Sequence, residues 1–352
     1  MSPDRRPRAH VPGLTLPPSR RPDPAAAPGL RWGILGAGWI GSEMARALTE
    51  TRQEVVAVGS RDAGRARDFA ERHGVPAWHG SYGGLVADPR VDVVYVASPH
   101  SEHRAHALLA IAAGKHVLVE KAFTRNASEA REVVAAAREA GVFAMEAMWS
   151  RFLPHYDIVR QAVAAGLLGP ISTVLADHGQ LLWPGGPRRL ADPALAGGSL
   201  LDLGIYPLSL ASMVLGGIAS VTAVGALTPE GVDARLAMSV LGRTGGVGAL
   251  SCDMSALTPT RAMICGSAAR IEIDTPFYAP TTIRLVGADE YILDEVEADP
   301  FELHRGLRHE AAEVALRVHA GETESPLMPL AETVALMEAM DEIRSQVGVT
   351  YP

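Results

Sequence analysis

The amino-acid sequence predicts an α/β chain in two parts: a doubly wound parallel sheet, then an α+β domain built on a large, mostly antiparallel open sheet. Three observations predict it. A glycine-rich turn joins a short apolar strand to a helix at residues 36–41. Apolar strands and helical patterns then alternate up to about residue 145. Beyond residue 170, strand-like segments follow one another with short turns and few helical patterns between them. Strand–helix alternation implies parallel strands covered by helices, whereas successive alternating strands imply antiparallel pairing.

The first strand is the apolar run at 31–35. It enters Gly36-Ala37-Gly38-Trp39-Ile40-Gly41, a helical stretch at 42–48 and a second strand at 54–58. Each glycine has a physical task in this arrangement. Gly36 permits the tight turn, Gly38 lets the main chain approach a pyrophosphate, and Gly41 lets the helix pack against the strand. The helix N-terminus offers free N–H groups and a positive dipole end to phosphates. Helices follow at 63–72, 102–112 and 128–140, the last with Ser128 as its expected N-cap and Gly141 as its stop. Strands alternate with them at 92–97, 115–120 and 142–145. This is a Rossmann-type domain, expected over residues 30–148. Ligands of such sheets bind beyond the carboxyl ends of the strands, so the loops after Leu35, Val58, Ala97, Val119 and Met145 line one crevice.

The second strand ends in Gly59-Ser60-Arg61-Asp62. A hydroxyl donor beside a planar cation suits a 2′-phosphate, so Ser60 and Arg61 point to NADP rather than NAD. Asp62 comes late for a ribose acid and reads as the N-cap of the next helix.

The second half is expected to hold a substrate-binding and oligomerisation domain over residues 149–329. Strands are read at 171–183, 221–227, 232–241, 246–254, 260–265, 270–274, 282–286 and 290–296. Two helices follow, near 301–320 and 330–347, and residues 330–352 are expected to return to the Rossmann domain. An open sheet face is a large apolar patch on a monomer, so a homodimer or higher homo-oligomer is expected. Residues 1–29, rich in Pro and Arg and without periodicity, read as a disordered tail.

Composition narrows the function classes. The chain has 352 residues, 47% of them hydrophobic and 20% charged, and a net charge of −8. Its length suits two domains. The mixed charges lack the basic face of a nucleic-acid binder. No run approaches the ~18 apolar residues of a membrane helix, and no apolar core of a signal peptide follows the N-terminal arginines. A cytoplasmic protein is expected, with Cys252 and Cys265 as reduced, buried thiols. The histidines form no cluster at metal-ligand spacing, so no metal is expected.

Several motifs together resemble the Gfo/Idh/MocA oxidoreductases, from about Leu30 to the end. They are the glycine turn, Gly114-Lys115-His116-Val117-Leu118-Val119-Glu120-Lys121, Met145-Glu146-Ala147-Met148-Trp149-Ser150-Arg151-Phe152 and Gly197-Gly198-Ser199-Leu200-Leu201-Asp202-Leu203-Gly204-Ile205-Tyr206. The last two, with Glu324-Ser325-Pro326-Leu327-Met328-Pro329-Leu330 and the closing Val347-Gly348-Val349-Thr350-Tyr351-Pro352, are similar to the branch of dihydrodiol and D-xylose dehydrogenases. The resemblance implies an NAD(P)-dependent dehydrogenase acting on a CH–OH group of a sugar, cyclic polyol or dihydrodiol. Two other functions occur on the same framework: a dinucleotide-dependent sensor without catalysis, and a glycosidase that uses NAD transiently.

Dehydrogenation needs a hydride acceptor, which NADP would supply, and a group that takes the hydroxyl proton. Tyr206 is the candidate for that group, four residues after Asp202 and so on the same helical face. A free tyrosine titrates near 10, too high for an efficient base near neutrality. A nearby ammonium lowers it, and Lys121, at a strand's carboxyl end, is the expected source. Asp202 is expected to bind a substrate hydroxyl or orient Lys121. The family's Glu-Lys-Pro motif stands here as Glu120-Lys121-Ala122.

The resemblance also places Ser98, Pro99 and His100 at the nicotinamide ribose, with Trp39, Ile40 and Glu120 beside the dinucleotide; His103 is read either at that ribose or on a helix surface. His100 stands where asparagine is usual. Trp149 offers an apolar face to a nicotinamide or sugar ring, and Arg151 a cation to cofactor or substrate. Trp183 and Arg188, in a Gly/Pro-rich loop, are read either as bordering the substrate or as structural.

Overall fold

The computed structural model describes residues 14–298 and 304–352. The first sheet is six-stranded, in the order β3-β2-β1-β4-β5-β6, and wholly parallel. Its strands are β1 (Arg31–Leu35), β2 (Glu54–Gly59), β3 (Trp78–His79), β4 (Val93–Val96), β5 (His116–Glu120) and β6 (Ala144–Ala147). Helices α1 (Trp39–Leu48), α2 (Ala63–His73), α3 (Tyr82–Val86), α4 (His103–Ala112) and α5 (Ala127–Ala140) connect them. β4 is buried at every position, as a strand covered on both faces must be. Short β3 and α3 were not expected, because neither shows a sustained period.

Asp62 caps α2, its Oδ1 accepting from Arg65 N at 3.1 Å. The expected cap of α5 is corrected. Asn126, not Ser128, accepts from Glu129 N at 2.9 Å, so the helix begins one residue earlier than expected.

The second sheet has eight strands in the order β14-β13-β12-β11-β7-β10-β9-β8. They are β7 (Ile171–Gly179), β8 (Ile218–Leu227), β9 (Asp233–Gly242), β10 (Val247–Asp253), β11 (Ala262–Gly266), β12 (Ala269–Ile273), β13 (Ile283–Gly287) and β14 (Ile292–Val296). Every pairing is antiparallel except β7 with β10. Strict alternation in β9, whose buried Leu236, Met238 and Val240 alternate with exposed residues, turns one face inward.

Helix α6 (Pro154–Ala164), absent from the sequence reading, leads into this sheet, and α7 (Ile205–Val214) packs under it. The stretch 193–214 is long and apolar enough to cross a bilayer, and 83% of its 18-residue apolar window is buried inside the protein. Helix α8 (Leu307–His319) starts after residues 299–303, so the expected start at 301 lies outside the described residues. Helix α9 (Leu330–Val347) lies between the two halves. Asp341 accepts from Ala127 N of α5 at 2.9 Å, and Gln346 accepts from Ala223 N of β8 at 2.7 Å.

The expected disordered tail is corrected over residues 14–29; residues 1–13 lie outside the described residues. Leu16 is buried, and its N–H donates to Asp294 of β14 at 2.8 Å. Arg20 N donates to Asp157 of α6 at 2.7 Å. Arg21 reaches a fully buried Glu313 on α8 at 2.9 Å. Segment 14–29 is a strap tying sheet edge, helices and Rossmann domain together. Its Pro and Arg content suggested disorder, but its arginine meets a buried acid and its leucine an apolar surface. Cys252 is a buried free thiol; Cys265, also free, is only half-buried.

Candidate active site

The carboxyl ends of β1, β2, β4 and β5 open on one cleft of about 910 Å3, closed on its far side by residues of β7, α7 and the loop after β12. The cofactor wall is made largely by main chain. Gly36 has φ of +117°, and a Cβ there would stand 2.6 Å from the Ala97 carbonyl oxygen. A Cβ on Gly41 would meet Gly36 O at 2.6 Å, so this glycine lets α1 close on β1 from below the cleft wall. Gly38 faces open space, and α1 begins there with no side chain bonded to its first N–H groups. That bare N-terminus fits a dinucleotide pyrophosphate. Trp39 and Ile40 line the cleft above it.

Ser60 and Arg61 line the same wall where β2 ends, with Arg65 and Tyr82 beside them. Ser98 and Pro99 follow β4 into the wall.

Two histidines brace the lysine loop, and both line the cleft. His103, fully buried, has Nδ1 at 2.8 Å from Ala122 O and Nε2 at 2.8 Å from Ser98 O. His100 has Nε2 at 3.2 Å from Lys121 O and Nδ1 at 3.1 Å from Ala196 O. Burial pulls His100 down to about 3 and His103 to about 4, while the carbonyl oxygens of Ser98 and Ala122 act on His103 in the opposite direction. Glu120 is buried; the Tyr95 hydroxyl donates to its Oε1, and Lys121 N donates to its Oε2 at 3.1 Å. Burial raises its carboxyl pKa. The Lys121–Ala122 peptide bond, where the family motif has proline, is cis.

Lys121, Asp202 and Tyr206 converge. Lys121 Nζ donates to the Asp202 carbonyl oxygen at 2.6 Å and lies 3.8 Å from Asp202 Oδ1. Arg189 donates to that same Oδ1 at 3.1 Å. Burial opposes charge on Asp202, yet Lys121 and Arg189 hold its carboxyl below the usual range. Residues 200–204 form a single π turn that carries Asp202 into the cleft, and the first turn of α7, directly after it, brings in Tyr206. π turns recur at functional sites.

One electrostatic expectation is corrected. Lys121 Nζ lies over the Tyr206 ring, 5.0 Å from its centroid, rather than beside the hydroxyl. Trp149 Nε1 donates to Tyr206 Oη at 2.9 Å. Burial outweighs that hydrogen bond, Glu120 adds to the effect, and the phenol pKa rises well above its ordinary value instead of falling. Tyr206 therefore holds its proton.

Three further residues read as site candidates stand outside the cleft wall. Arg151 is outside the cleft wall, buried in an ion pair with Glu332 of α9. Trp183 is half-buried against the core, its N–H bonded to Met254 O at 2.8 Å, and does not line the cleft. Arg188 is absent from the cleft wall; its neighbour Arg189, also exposed, lines it instead.

The sequence reading missed His178, Gln180, Arg189, Tyr278 and Leu307, all in the cleft wall. The available signal was the polar pair His178 and Gln180 at the end of an alternating strand. Nothing local marked Tyr278. Among the described residues no cluster of three or more His, Cys, Asp or Glu is arranged around a metal position.

A glycine-lined nucleotide cleft facing a lysine, an acid and a tyrosine defines an NAD(P)-dependent oxidoreductase, the dehydrogenase class expected from the sequence. The chain belongs to the Gfo/Idh/MocA oxidoreductase family. The family's NAD-binding Rossmann domain matches residues 30–148, and its C-terminal domain matches residues 156–272. The trans-1,2-dihydrobenzene-1,2-diol dehydrogenase of Bos taurus is 39% identical over 332 residues, covering 92% of this chain and 98% of that protein. The Homo sapiens enzyme of the same name is 37% identical over 331 residues, with the same coverage. Among solved structures, a 3-ketoreductase from Actinomadura kijaniata in complex with NADP and TDP-benzene superimposes with a TM-score of 0.78 at 27% identity, covering 91% of this chain and 98% of that one. The aldose-aldose oxidoreductase of Caulobacter crescentus shares the fold at a TM-score of 0.80 and 24% identity, with coverage of 91% and 98%.

Proposed function

We propose that this protein is an NADP-dependent dehydrogenase that interconverts a CH–OH group and a carbonyl on a sugar, cyclic polyol or dihydrodiol. The carrying observation is the convergence of Lys121, Asp202 and Tyr206 opposite the glycine turn. The dinucleotide, when bound, accepts or supplies the hydride. Trp149 occupies one lone pair of Tyr206 Oη and so aims the phenol proton away from itself, toward the cleft.

In the reducing direction Tyr206 gives that proton to the substrate carbonyl oxygen. In oxidation Tyr206 first releases its phenol proton to solvent; the phenolate then takes the substrate hydroxyl proton, and the Lys121 ammonium over the ring offsets the phenolate charge in between. Asp202 is held ionised and accepts from a substrate hydroxyl while anchoring Lys121. Trp149 and Leu307 supply apolar faces for a ring.

Ser60 and Arg61 support NADP, because both stand in the cleft wall where the adenosine ribose of a Rossmann ligand lies. Exposed Val224, Leu241, Val247 and Leu175 on the outer face of the second sheet support a homodimer through that face. The unpaired thiols fit a cytoplasmic enzyme.

The test is to mix purified protein with NADP, then NAD, against xylose, glucose, inositols and trans-1,2-dihydrobenzene-1,2-diol, following absorbance of the reduced nicotinamide. Turnover abolished by Lys121→Met and Tyr206→Phe supports this function. Tight NADP binding without turnover in either direction would replace it with the sensor.

A further inference from the structure

The wall opposite Lys121 carries a chain of hydrogen bonds whose donors and acceptors are fully assigned by their ends. It begins at the Leu203 carbonyl, which only accepts, so the His178 Nδ1 facing it at 3.1 Å carries the proton. His178 is buried, and burial together with Lys121 lowers it to about 4, so the ring is neutral and Nε2 presents a lone pair. Gln180 Nε2 donates to that lone pair at 3.0 Å and, with its second hydrogen, to Tyr278 Oη at 2.9 Å. Both amide hydrogens are thereby used. Among the described residues no protein group hydrogen-bonds the Gln180 side-chain oxygen, Oε1, or takes the Tyr278 hydroxyl proton.

The wall thus offers the cleft one acceptor and one donor, side by side. Tyr278 is stacked on Tyr206 with ring centroids 4.6 Å apart and on His178 at 4.5 Å, so this pair is rigidly referenced to the proton-transfer group. The Trp149 indole meets the Tyr278 ring edge-on at 6.1 Å.

We propose that Gln180 and Tyr278, oriented by His178, determine substrate specificity by binding a ring hydroxyl remote from the reacting carbon, so that the enzyme prefers sugars and cyclitols over dihydrodiols. A hydroxyl is both donor and acceptor and satisfies both groups at once. A dihydrodiol has only its two vicinal hydroxyls. With one of them at Tyr206 and the other at Asp202, it presents C–H bonds to the Gln180 oxygen and the Tyr278 hydroxyl, which lose solvent without gaining a partner. Sites built to hydrogen-bond a hydroxyl discriminate strongly against ligands that lack it. His178 is a positioning residue here: it touches no reacting atom and acts by directing the Gln180 amide.

This inference rests on the dehydrogenase function proposed above, and the two fail differently. The experiment measures kcat/KM for xylose, glucose and myo-inositol and for trans-1,2-dihydrobenzene-1,2-diol in wild type, Gln180→Leu, Tyr278→Phe and His178→Phe. NADP affinity of each variant, by fluorescence titration, reports on its folding. Wild type is expected to prefer a sugar or cyclitol. Gln180→Leu and Tyr278→Phe are each expected to shift the ratio of the two kcat/KM values at least tenfold toward the dihydrodiol, and His178→Phe to shift it the same way by less. An unmoved ratio, an equal loss on both substrate classes, or a wild type that prefers the dihydrodiol overturns the specificity assignment while leaving the dehydrogenase intact. Absence of turnover on every substrate despite NADP binding is the failure of the dehydrogenase function itself, and the specificity assignment falls with it.

Discussion

The two walls of the cleft are built in opposite ways. The cofactor wall comes from consecutive loops of one parallel sheet, and its main recognition elements are backbone: the turn at Gly36, the open approach at Gly38 and the bare start of α1. The substrate wall comes from side chains far apart in the chain. Lys121, Tyr206, His178 and Tyr278 meet only because β5, α7, β7 and the loop after β12 converge. A backbone site tolerates change in most side chains and fails at a few glycines. A side-chain site fails residue by residue, each by its own chemistry.

Substitution tests that contrast from the largest effect down. Lys121→Met is expected to lower kcat about 1,000-fold, roughly 4 kcal/mol of barrier, while NADP affinity changes far less; steady-state kinetics and a binding titration together check it. Equal losses in both would mean that Lys121 belongs to the cofactor wall.

The strap supplies the next test, outside both walls. Arg21→Ala leaves Glu313 still paired with Arg317 and Ser325 but without its strap partner, at a cost of about 2 kcal/mol for one lost charge-assisted hydrogen bond. Urea unfolding measures it. Despite burial, Ser325 and Arg21, with Arg317, hold the Glu313 carboxyl below its ordinary value. A depressed carboxylate contributes stability above its unfolded value of about 4.3, and that stability is lost as pH falls through the folded value. The gap between wild type and Arg21→Ala is therefore expected to be full at pH 7 and to narrow as the pH falls through the carboxylate range. A constant gap would mean that the strap acts through packing alone.

Arg61→Ala is expected to weaken NADP binding about 30-fold, roughly 2 kcal/mol for a lost charge-assisted hydrogen bond, with little change for NAD. Parallel titrations with the two dinucleotides decide it, and equal losses would remove Arg61 from the 2′-phosphate.

The smallest effect is the sharpest probe of the backbone wall. Gly38→Ala has room in the protein itself, so its melting temperature should hold while dinucleotide affinity falls about tenfold, roughly 1.4 kcal/mol. Gly36→Ala should lower both, because its φ is positive and its Cβ would strike the Ala97 carbonyl. If both variants lost only affinity, the turn would be less constrained than its geometry implies.

The strands of both sheets except short β3, and helix α9, were legible in the sequence, because burial on one or two faces writes a period into the side chains. The glycine turn, Ser60, Arg61, Lys121, Asp202 and Tyr206 were legible too. Backbone approach demands glycine, and strand ends in a parallel sheet have a known destination. Helix α6 and the strap went unread: α6 does carry boundary signals, Pro154 at its first position and Gly166 just past its end, whereas the strap has no period at all.

What the sequence determined by itself was the order of elements, the two-part architecture and the family chemistry, because these depend on local patterning. Only the tertiary structure decided that Arg151 pairs with Glu332 instead of entering the cleft, that Trp149 donates to Tyr206, and that Lys121 lies over the phenol ring. It also decided that Tyr206 stays protonated and that His178, Gln180 and Tyr278 form one wall. The physical reason is the same in each case: a side chain's partners and desolvation are set by residues distant in sequence, and no period or spacing along the chain encodes which of them arrive.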